Sequence, residues 1–253
     1  SFGLCSVMLV LLDRAFSCWY SERRVRWKFL APLPIVFVVW INSHGAVVAG
    51  LCILGAYLGG RCIELLIHRS DLTISNLLGL CTIGLASAGA TIANPYGLEL
   101  HRWLAASLGG PRPEITEWAP PALGAPVFWP WMALVALTVL SLAGTRLRRD
   151  WVQIAILALV AWQSAAHLRH IAFLAILCGF WIPEHLQSAL GRLRPRAAQQ
   201  LGIMRLSPWM RRGALALLML SIGLQGLVLG RRLTDLPVDR SFYPVDAIEF
   251  MSR

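Results

Sequence analysis

The chain has 253 residues, of which 57% are hydrophobic and only 14% are charged, and its formal net charge is +10 at pH 7. A soluble domain carries about 25% charged residues, so this composition excludes an ordinary soluble globular protein and predicts a polytopic membrane protein. Basic loops that anchor membrane helices on the cytoplasmic side explain the positive charge, so it does not indicate a nucleic-acid partner.

The apolar segments predict an all-α fold, a polytopic transmembrane helix bundle of about eight segments. In chain order they cover roughly residues 2–17, 27–42, 45–66, 74–93, 126–144, 151–166, 168–187 and 213–230. We expect residues 1–230 to form the bundle and residues 231–253 to start an extracytoplasmic C-terminal segment. The first segment lacks the charged n-region of a signal peptide, so we expect the chain to be an internal piece of a longer protein.

The basic residues predict the orientation of the bundle. If the loop after the first segment is cytoplasmic, most basic residues fall in cytoplasmic loops, among which we count Arg61 and the basic loop 192–212. That loop is predicted to contact anionic lipids. The same orientation places the polar clusters 42–44, 94–103, 114–121 and 167–170 on the outer face.

The cluster around His44 interrupts a long apolar run, with Asn42 two residues before it. It is consistent with an ordinary corner between two helices, because Asn, Ser and Gly suit turns. It is equally consistent with a site that lines an outer cavity, in which His44 is a hydrogen-bond donor or an acid/base group. In the same way, Asn94 and Tyr96 belong to an NPYG turn that ends a helix or contributes to the site.

Residues 98–108 show helical spacing of apolar residues, with Glu99, His101 and Arg102 between them, and predict a short amphipathic helix on the outer interface. Glu117 lies beside Trp118, where a carboxylate can serve as a base or bind a sugar hydroxyl, and it is equally consistent with a solvated charge.

The HLRH turn, residues 167–170, favours phosphate binding. A guanidinium such as that of Arg169 binds two phosphate oxygens, and His167 and His170 can share the negative charge. The alternative is an interface anchor at a helix end. No carboxylate lies nearby in the sequence, so we do not predict a metal site here, and the cysteines predict neither zinc nor a disulfide framework. We expect His44, Asn94 and Arg169 to approach one shared outer cavity.

The order of the motifs resembles a family of bacterial polytopic membrane proteins described as glycosyltransferases of the GT-C type. These are similar to dolichyl-phosphate-mannose–protein mannosyltransferases and to the aminoarabinose and arabinosyl transferases. The stretches that carry the resemblance are LPIVFVVWINSHGAVVAGL, IANPYGLELHRWL, ITEWAPP and YPVDAIEFM. The matching positions are Trp40, Asn42, His44, Gly45, Asn94, Pro95, Tyr96, Gly97, Glu117 and Trp118, whereas Ala46 replaces a second glycine of the pattern.

The resemblance implies an integral-membrane enzyme of the bacterial cytoplasmic membrane that transfers a sugar from a polyprenyl-phosphate donor on the outer face. Glu117 and His44 are then the catalytic candidates, and the main catalytic acid is expected in an upstream part of the enzyme. The substrate-binding candidates are Asn42, Asn94, Tyr96, Arg102, His167, Arg169 and His170. No cofactor is implied for this piece, and the need for a divalent cation stays open.

A non-enzymatic membrane protein is the alternative, either a transporter or a structural subunit of a membrane complex. The run broken at INSHG suits the discontinuous helix of a transporter. Against this alternative, the polar residues are predicted to gather on one face rather than at the membrane midplane.

Overall fold

The computed structural model describes residues 1–22, 24–68, 73–108 and 115–193, with isolated positions between 209 and 227. The chain divides into two compact units, Ser1–Ala198 and Gln199–Arg253. Within the described ranges the regular structure is entirely helical. The helices are α1 Phe2–Ala15, α2 Trp19–Glu22, α3 Trp27–Leu30, α4 Leu33–Ile41, α5 Val47–Ile67, α6 Thr73–Ala90, α7 Leu98–Leu108, α8 Phe128–Gly144, α9 Trp151–Ala166, α10 Ile171–Trp181 and α11 Pro183–Leu193.

Several of these helices have the length and composition of membrane spans. Among the described residues, Phe2–Glu22, Val47–Ile67 and Thr73–Ala90 are long and apolar enough to cross a bilayer. The pair Leu168–Trp181 and Pro183–Arg192 makes a fourth span if its 61° bend is counted as a break within one helix. These three to four helices support the predicted membrane location, whereas the number of eight segments stays a prediction.

Proline divides two of the predicted segments. The segment 27–42 is interrupted at Ala31 and Pro32, and the segment 168–187 is bent at Ile182, just before Pro183. Proline lacks the backbone donor that a continuous helix needs and disfavours helical geometry at the preceding residue. The last predicted segment, 213–230, the tail 231–253 and the basic loop 192–212 lie outside the described residues, apart from residues 192 and 193 and isolated positions.

The bundle of the first unit has two ends that differ in charge. At one end, Trp19 donates a hydrogen bond to Glu64 of α5, and the backbone of Arg146 donates one to Ser188 of α11. We call this the basic end, because it carries every described Lys and Arg of the unit except Arg102 and Arg169. Its members are Arg14, Arg24, Arg26, Lys28, Arg61, Arg146, Arg148, Arg149 and Arg192.

The opposite end is assembled by polar contacts between turns. The Trp40 indole donates a hydrogen bond to the hydroxyl of Ser1 over 3.2 Å, and the Asn42 side chain donates one to the carbonyl of Ala93 over 2.8 Å. Leu168 donates its backbone N–H to the carbonyl of Ala119 over 3.0 Å. These contacts bring the predicted clusters 42–44, 94–103 and 167–170, and the described part of 114–121, to the same end of the bundle.

Trp40, just before the 42–44 turn, is fully buried against α5. A Cβ atom added at Gly50 of α5 would lie 2.4 Å from a ring carbon of Trp40. Only glycine therefore allows α5 to approach the Trp40 ring this closely.

The position of Arg61 corrects the assignment of this residue to a cytoplasmic loop. Arg61 lies within α5 and is only 1% exposed. Its guanidinium forms ion pairs with Glu64 and Asp150 and donates hydrogen bonds to the hydroxyls of Tyr20 and Tyr57. A buried arginine is tolerated when carboxylates neutralise its charge, and Glu64 and Asp150 do so here. Its two terminal nitrogens both find acceptors in the cluster, whereas its buried Nε–H has no hydrogen-bond partner among the described residues.

Candidate functional site

A cavity of about 490 Å³ opens at the end opposite to the basic end. We call it the Arg169 cavity. One wall is formed by the start of α5, and the other by the end of α9 and the start of α10. Apolar side chains such as Ile53, Val160 and Phe173 make most of its lining, and the polar contribution comes from Gln163, His167, Arg169, His170 and Trp118. The cavity thus combines an apolar interior with a basic and aromatic rim.

The turn that carries Arg169 is fastened to a distant part of the chain. After α9 ends, residues Leu168–His170 form a single 3₁₀ turn that leads directly into α10. The Leu168 N–H bonds to Ala119, and the Nδ1 atom of His167 lies 2.7 Å from the carbonyl oxygen of Trp118. The EW motif and the HLRH motif, which are remote in sequence, therefore form one structural unit.

Arg169 is held by an aromatic ring. Its guanidinium carbon lies 5.0 Å from the ring centre of Trp118, within the range of a cation–π contact. The side chain is half-buried, and no carboxylate among the residues that the structure describes forms an ion pair with it. The contact with the Trp118 ring does not use the N–H groups at the edge of the guanidinium as hydrogen-bond donors. Arg169 is therefore suited to bind an anion.

The hydrogen bonds of His167 and His44 fix different roles for the two rings. In His167, Nδ1 faces a carbonyl oxygen and must donate, which leaves Nε2 as the acceptor of the neutral ring. In His44, Nδ1 accepts a hydrogen bond from the backbone N–H of Ala46 over 3.0 Å, so Nε2 carries the proton of the neutral ring. His167 therefore presents a basic nitrogen, and His44 presents a donor.

His170 completes the basic rim. Its ring centre lies 5.8 Å from that of His167 and 6.3 Å from that of Phe173. The ring centres of Trp118 and His167 are 6.0 Å apart, so two consecutive contacts line up the rings of Trp118, His167 and His170 along the rim.

The two asparagines hold turns together. Asn42 donates to the carbonyls of Val38 and Ala93, each over 2.8 Å. Asn94 donates to the carbonyls of Thr91 and Gly97, and its own side-chain oxygen accepts the N–H of Tyr96. Gly97 adopts a positive φ of 53°, a conformation that favours glycine. The NPYG motif is therefore a closed turn.

The remaining candidates are not part of the cavity lining. Tyr96 is 71% exposed, Arg102 is exposed and forms an ion pair with Glu99, and Glu117 is exposed beside Trp118. The helix Leu98–Leu108 has the predicted bounds, whereas its position on a membrane surface stays a prediction. Within the described part of the chain, no group of three His, Cys, Asp or Glu side chains is arranged to hold a metal ion.

The expected convergence of His44, Asn94 and Arg169 is met only in part. Arg169 lines the cavity, and Gly45 and Ala46 bring the turn of His44 to its rim. The side chain of Asn94 is not part of the lining and is engaged in the hydrogen bonds of its own turn, so its predicted role in substrate binding stays a prediction. Trp118 and Gln163 line the cavity but were not among the predicted site residues. The position of Trp118 beside an acidic residue at a predicted membrane surface was a sequence signal that could have identified it.

Three kinds of comparison with known proteins were negative: no protein-family model, no curated protein and no solved structure matches the chain.

Proposed function

We propose that the chain belongs to an integral-membrane glycosyltransferase of the GT-C type, which uses a polyprenyl-phosphate sugar on the outer face of a bacterial cytoplasmic membrane. The observation that carries the proposal is the half-buried Arg169, held against Trp118 at the rim of a cavity with apolar walls. The motif resemblance described above is consistent with it.

The cavity suits a ligand with an apolar tail and an anionic head. Ile53, Val160 and Phe173 offer apolar surface to isoprenoid carbons. Arg169 offers a planar fork to phosphate oxygens, and the surrounding apolar walls strengthen a charge-assisted hydrogen bond by excluding water. A polyprenyl phosphate has an apolar isoprenoid tail that ends in an anionic phosphate, as this cavity requires.

The proposed reaction needs a group that stabilises the leaving phosphate and a group that accepts a proton. The acceptor hydroxyl attacks the anomeric carbon, the bond between that carbon and the phosphate oxygen breaks, and the hydroxyl proton passes to a base. Arg169 and His170 would stabilise the charge on the leaving phosphate. The predicted catalytic residues are Glu117 and His44. The Nε2 atom of His167 is a further candidate for the base, whereas the hydrogen bond at Nδ1 of His44 makes that residue better suited to donate a proton.

The charge distribution supports the proposed orientation. Nearly all described basic residues lie at the basic end, and the positive-inside rule assigns such an end to the cytoplasm. The Arg169 cavity would then face outward, where lipid-linked sugar donors with outward-facing head groups are accessible.

Turnover with a polyprenyl-phosphate sugar tests the proposal in the full-length enzyme, reconstituted in nanodiscs. A charge-assisted hydrogen bond contributes about 1.5–3 kcal/mol. Arg169→Ala should therefore lower kcat/KM by about one to two orders of magnitude. Arg169→Lys should recover part of the loss, and Arg169→Gln less, because only lysine restores the charge. Arg24→Ala, which removes an exposed cation at the basic end, is the matched control.

Two outcomes would count against the proposal. If Arg169→Ala is as active as the parent, Arg169 is only an interface anchor. If the parent binds the lipid donor and moves it across the bilayer without transferring the sugar, the transporter alternative is correct.

A further inference from the structure

A second, larger opening lies at the basic end, and its lining shares Leu159 with the Arg169 cavity. Its volume is about 830 Å³, and it runs between α5 and α9. We call it the Arg148 cleft. We infer that the Arg148 cleft binds one anionic phospholipid from the adjacent leaflet, with the lipid phosphate at Arg148 and an acyl chain between α5 and α9.

The walls of the cleft provide the apolar part of this site. On α5 they comprise Ala56, Gly60, Ile63 and Ile67, which recur at helical spacing on one face. On α9 the wall extends from Trp151 to Leu159, which corresponds to roughly 12 Å along the helix axis. This length approaches the hydrocarbon thickness of one leaflet, about 15 Å. The small side chains on α5 leave room beside the helix, and an acyl chain fits such a channel.

The mouth of the cleft provides the charge. Arg148 is exposed, and its guanidinium carbon lies 4.1 Å from the ring centre of Tyr20. Arg149 and His68 also line the mouth, but the guanidinium of Arg149 is occupied with the carbonyls of Leu142 and Ala143 at the end of α8. Within the described ranges no carboxylate forms an ion pair with Arg148, so its N–H groups are available to a phosphate.

The acid in the cleft does not cancel this charge. Glu64 lines the cleft, yet it is bound by Arg61 and by the indole of Trp19, and Tyr20 also donates to it. The same cluster fixes the ring of Tyr20, against which Arg148 stacks. The buried ion pairs therefore leave the mouth positive and hold its main cation in place.

A phospholipid fits these features better than a soluble anion. Free phosphate would use only the mouth and would leave the exposed apolar walls at Ile63, Ile67 and Trp151 uncovered. A tryptophan beside a cationic mouth is typical of the membrane interface, where a lipid head group lies. The lipid would pack against α5 and α9 at once, next to the contact that Gly60 and Val152 make between them.

Native mass spectrometry of the full chain in neutral detergent tests the inference. We expect one tightly bound phosphatidylglycerol per chain and markedly weaker binding of phosphatidylcholine. Because a cation near an anionic lipid contributes about 1 kcal/mol, Arg148→Gln should weaken phosphatidylglycerol binding by about fivefold. Arg146→Gln, in the same loop but outside the cleft lining, should bind like the parent. Ala155→Phe, which fills the cleft and leaves every charge in place, should weaken binding of both lipids.

Three results would overturn the inference. Equal losses for Arg146→Gln and Arg148→Gln would mean diffuse attraction to a basic surface. Unchanged lipid binding by Ala155→Phe would show that the acyl chain does not lie in the cleft. Full displacement of the lipid by millimolar inorganic phosphate would assign the mouth to a soluble anion.

Discussion

Arg61 of α5 and Asp150, the residue just before α9, form a buried ion pair although 89 positions separate them in the sequence. Asp150 uses its two oxygens for different purposes. One accepts the Arg61 guanidinium, and the other accepts the backbone N–H groups of Val152 and Gln153, which caps α9. The start of α9 is therefore fixed to the middle of the buried cluster.

This arrangement predicts a large stability loss when the cation is removed. Arg61→Met leaves Glu64 and Asp150 buried without their partner, and breaking such a pair costs about 3–5 kcal/mol of unfolding free energy. Asp150→Ser keeps a cap but removes the charge, and Asp150→Ala should be less stable than Asp150→Ser by about 1 kcal/mol. Unfolding in detergent mixtures measures these differences. Arg24→Met is the control, and an Arg61→Met loss as small as that of the control would contradict the buried pair.

The contact between Gly50 and Trp40 predicts a second, purely steric effect. Gly50→Ala places a methyl group against the fully buried indole, and overpacking of this kind costs about 1–3 kcal/mol. Gly55→Ala on the same helix meets no atom within 4 Å and should be neutral or slightly stabilising. Thermal unfolding of both variants provides the measurement. Equal melting temperatures for the two variants would show that α5 and Trp40 can separate without cost.

The closed NPYG turn predicts that Asn94 acts on stability. Asn94→Ala removes the hydrogen bonds that the side chain donates to Thr91 and Gly97 and the one that it accepts from Tyr96, and a typical hydrogen bond contributes about 0.5–1.5 kcal/mol to the unfolding free energy. Asn94→Asp keeps the acceptor for Tyr96 and should lose less. Unfolding free energies decide the point. A variant that is fully stable but binds the lipid donor poorly would restore the substrate-binding role predicted from the sequence.

The proposed orientation predicts which positions are accessible from outside the cell. In a background without native cysteines, Ser43→Cys should react with a membrane-impermeant maleimide in intact cells. Arg146→Cys should react only after permeabilisation, because the basic end is proposed to be cytoplasmic. The opposite labelling pattern would turn the Arg169 cavity toward the cytoplasm and refute the outward-facing site.

Local signals predicted the helices well where they were strong. The segment 151–166 has the limits of α9, because Asp150 is a favourable capping residue. Hydropathy alone did not show the interruptions at Pro32 and Pro183, since a proline adds little to the polarity of an apolar run. The prolines themselves were the available signal.

The candidate site was predictable only at the level of the membrane face. Charge patterning placed the EW and HLRH motifs on one side, and the structure joins them through His167 and Trp118. Tertiary hydrogen bonds determine which polar groups face the cavity. The sequence therefore did not show that the Asn94 side chain closes its own turn. Arg61 was missed for the opposite reason. Arg61 was counted as a loop charge, although a Glu three residues later, near the end of an apolar segment, also fits a buried ion pair.

The separation between Arg61 and Asp150 has a consequence for biogenesis. Ribosomes add about 5–20 residues per second, so α5 is available for insertion on the order of ten seconds before its distant carboxylate is synthesised. An arginine at the centre of an inserting helix is penalised by about 2.5–3.5 kcal/mol at the translocon, and this is the upper limit for Arg61, which lies closer to the end of α5. Glu64, one turn away, gives Arg61 a provisional partner during this interval. The ion pair with Asp150 can form only after the start of α9 has been synthesised, so the complete neutralisation of Arg61 depends on a helix that follows α5 in the chain.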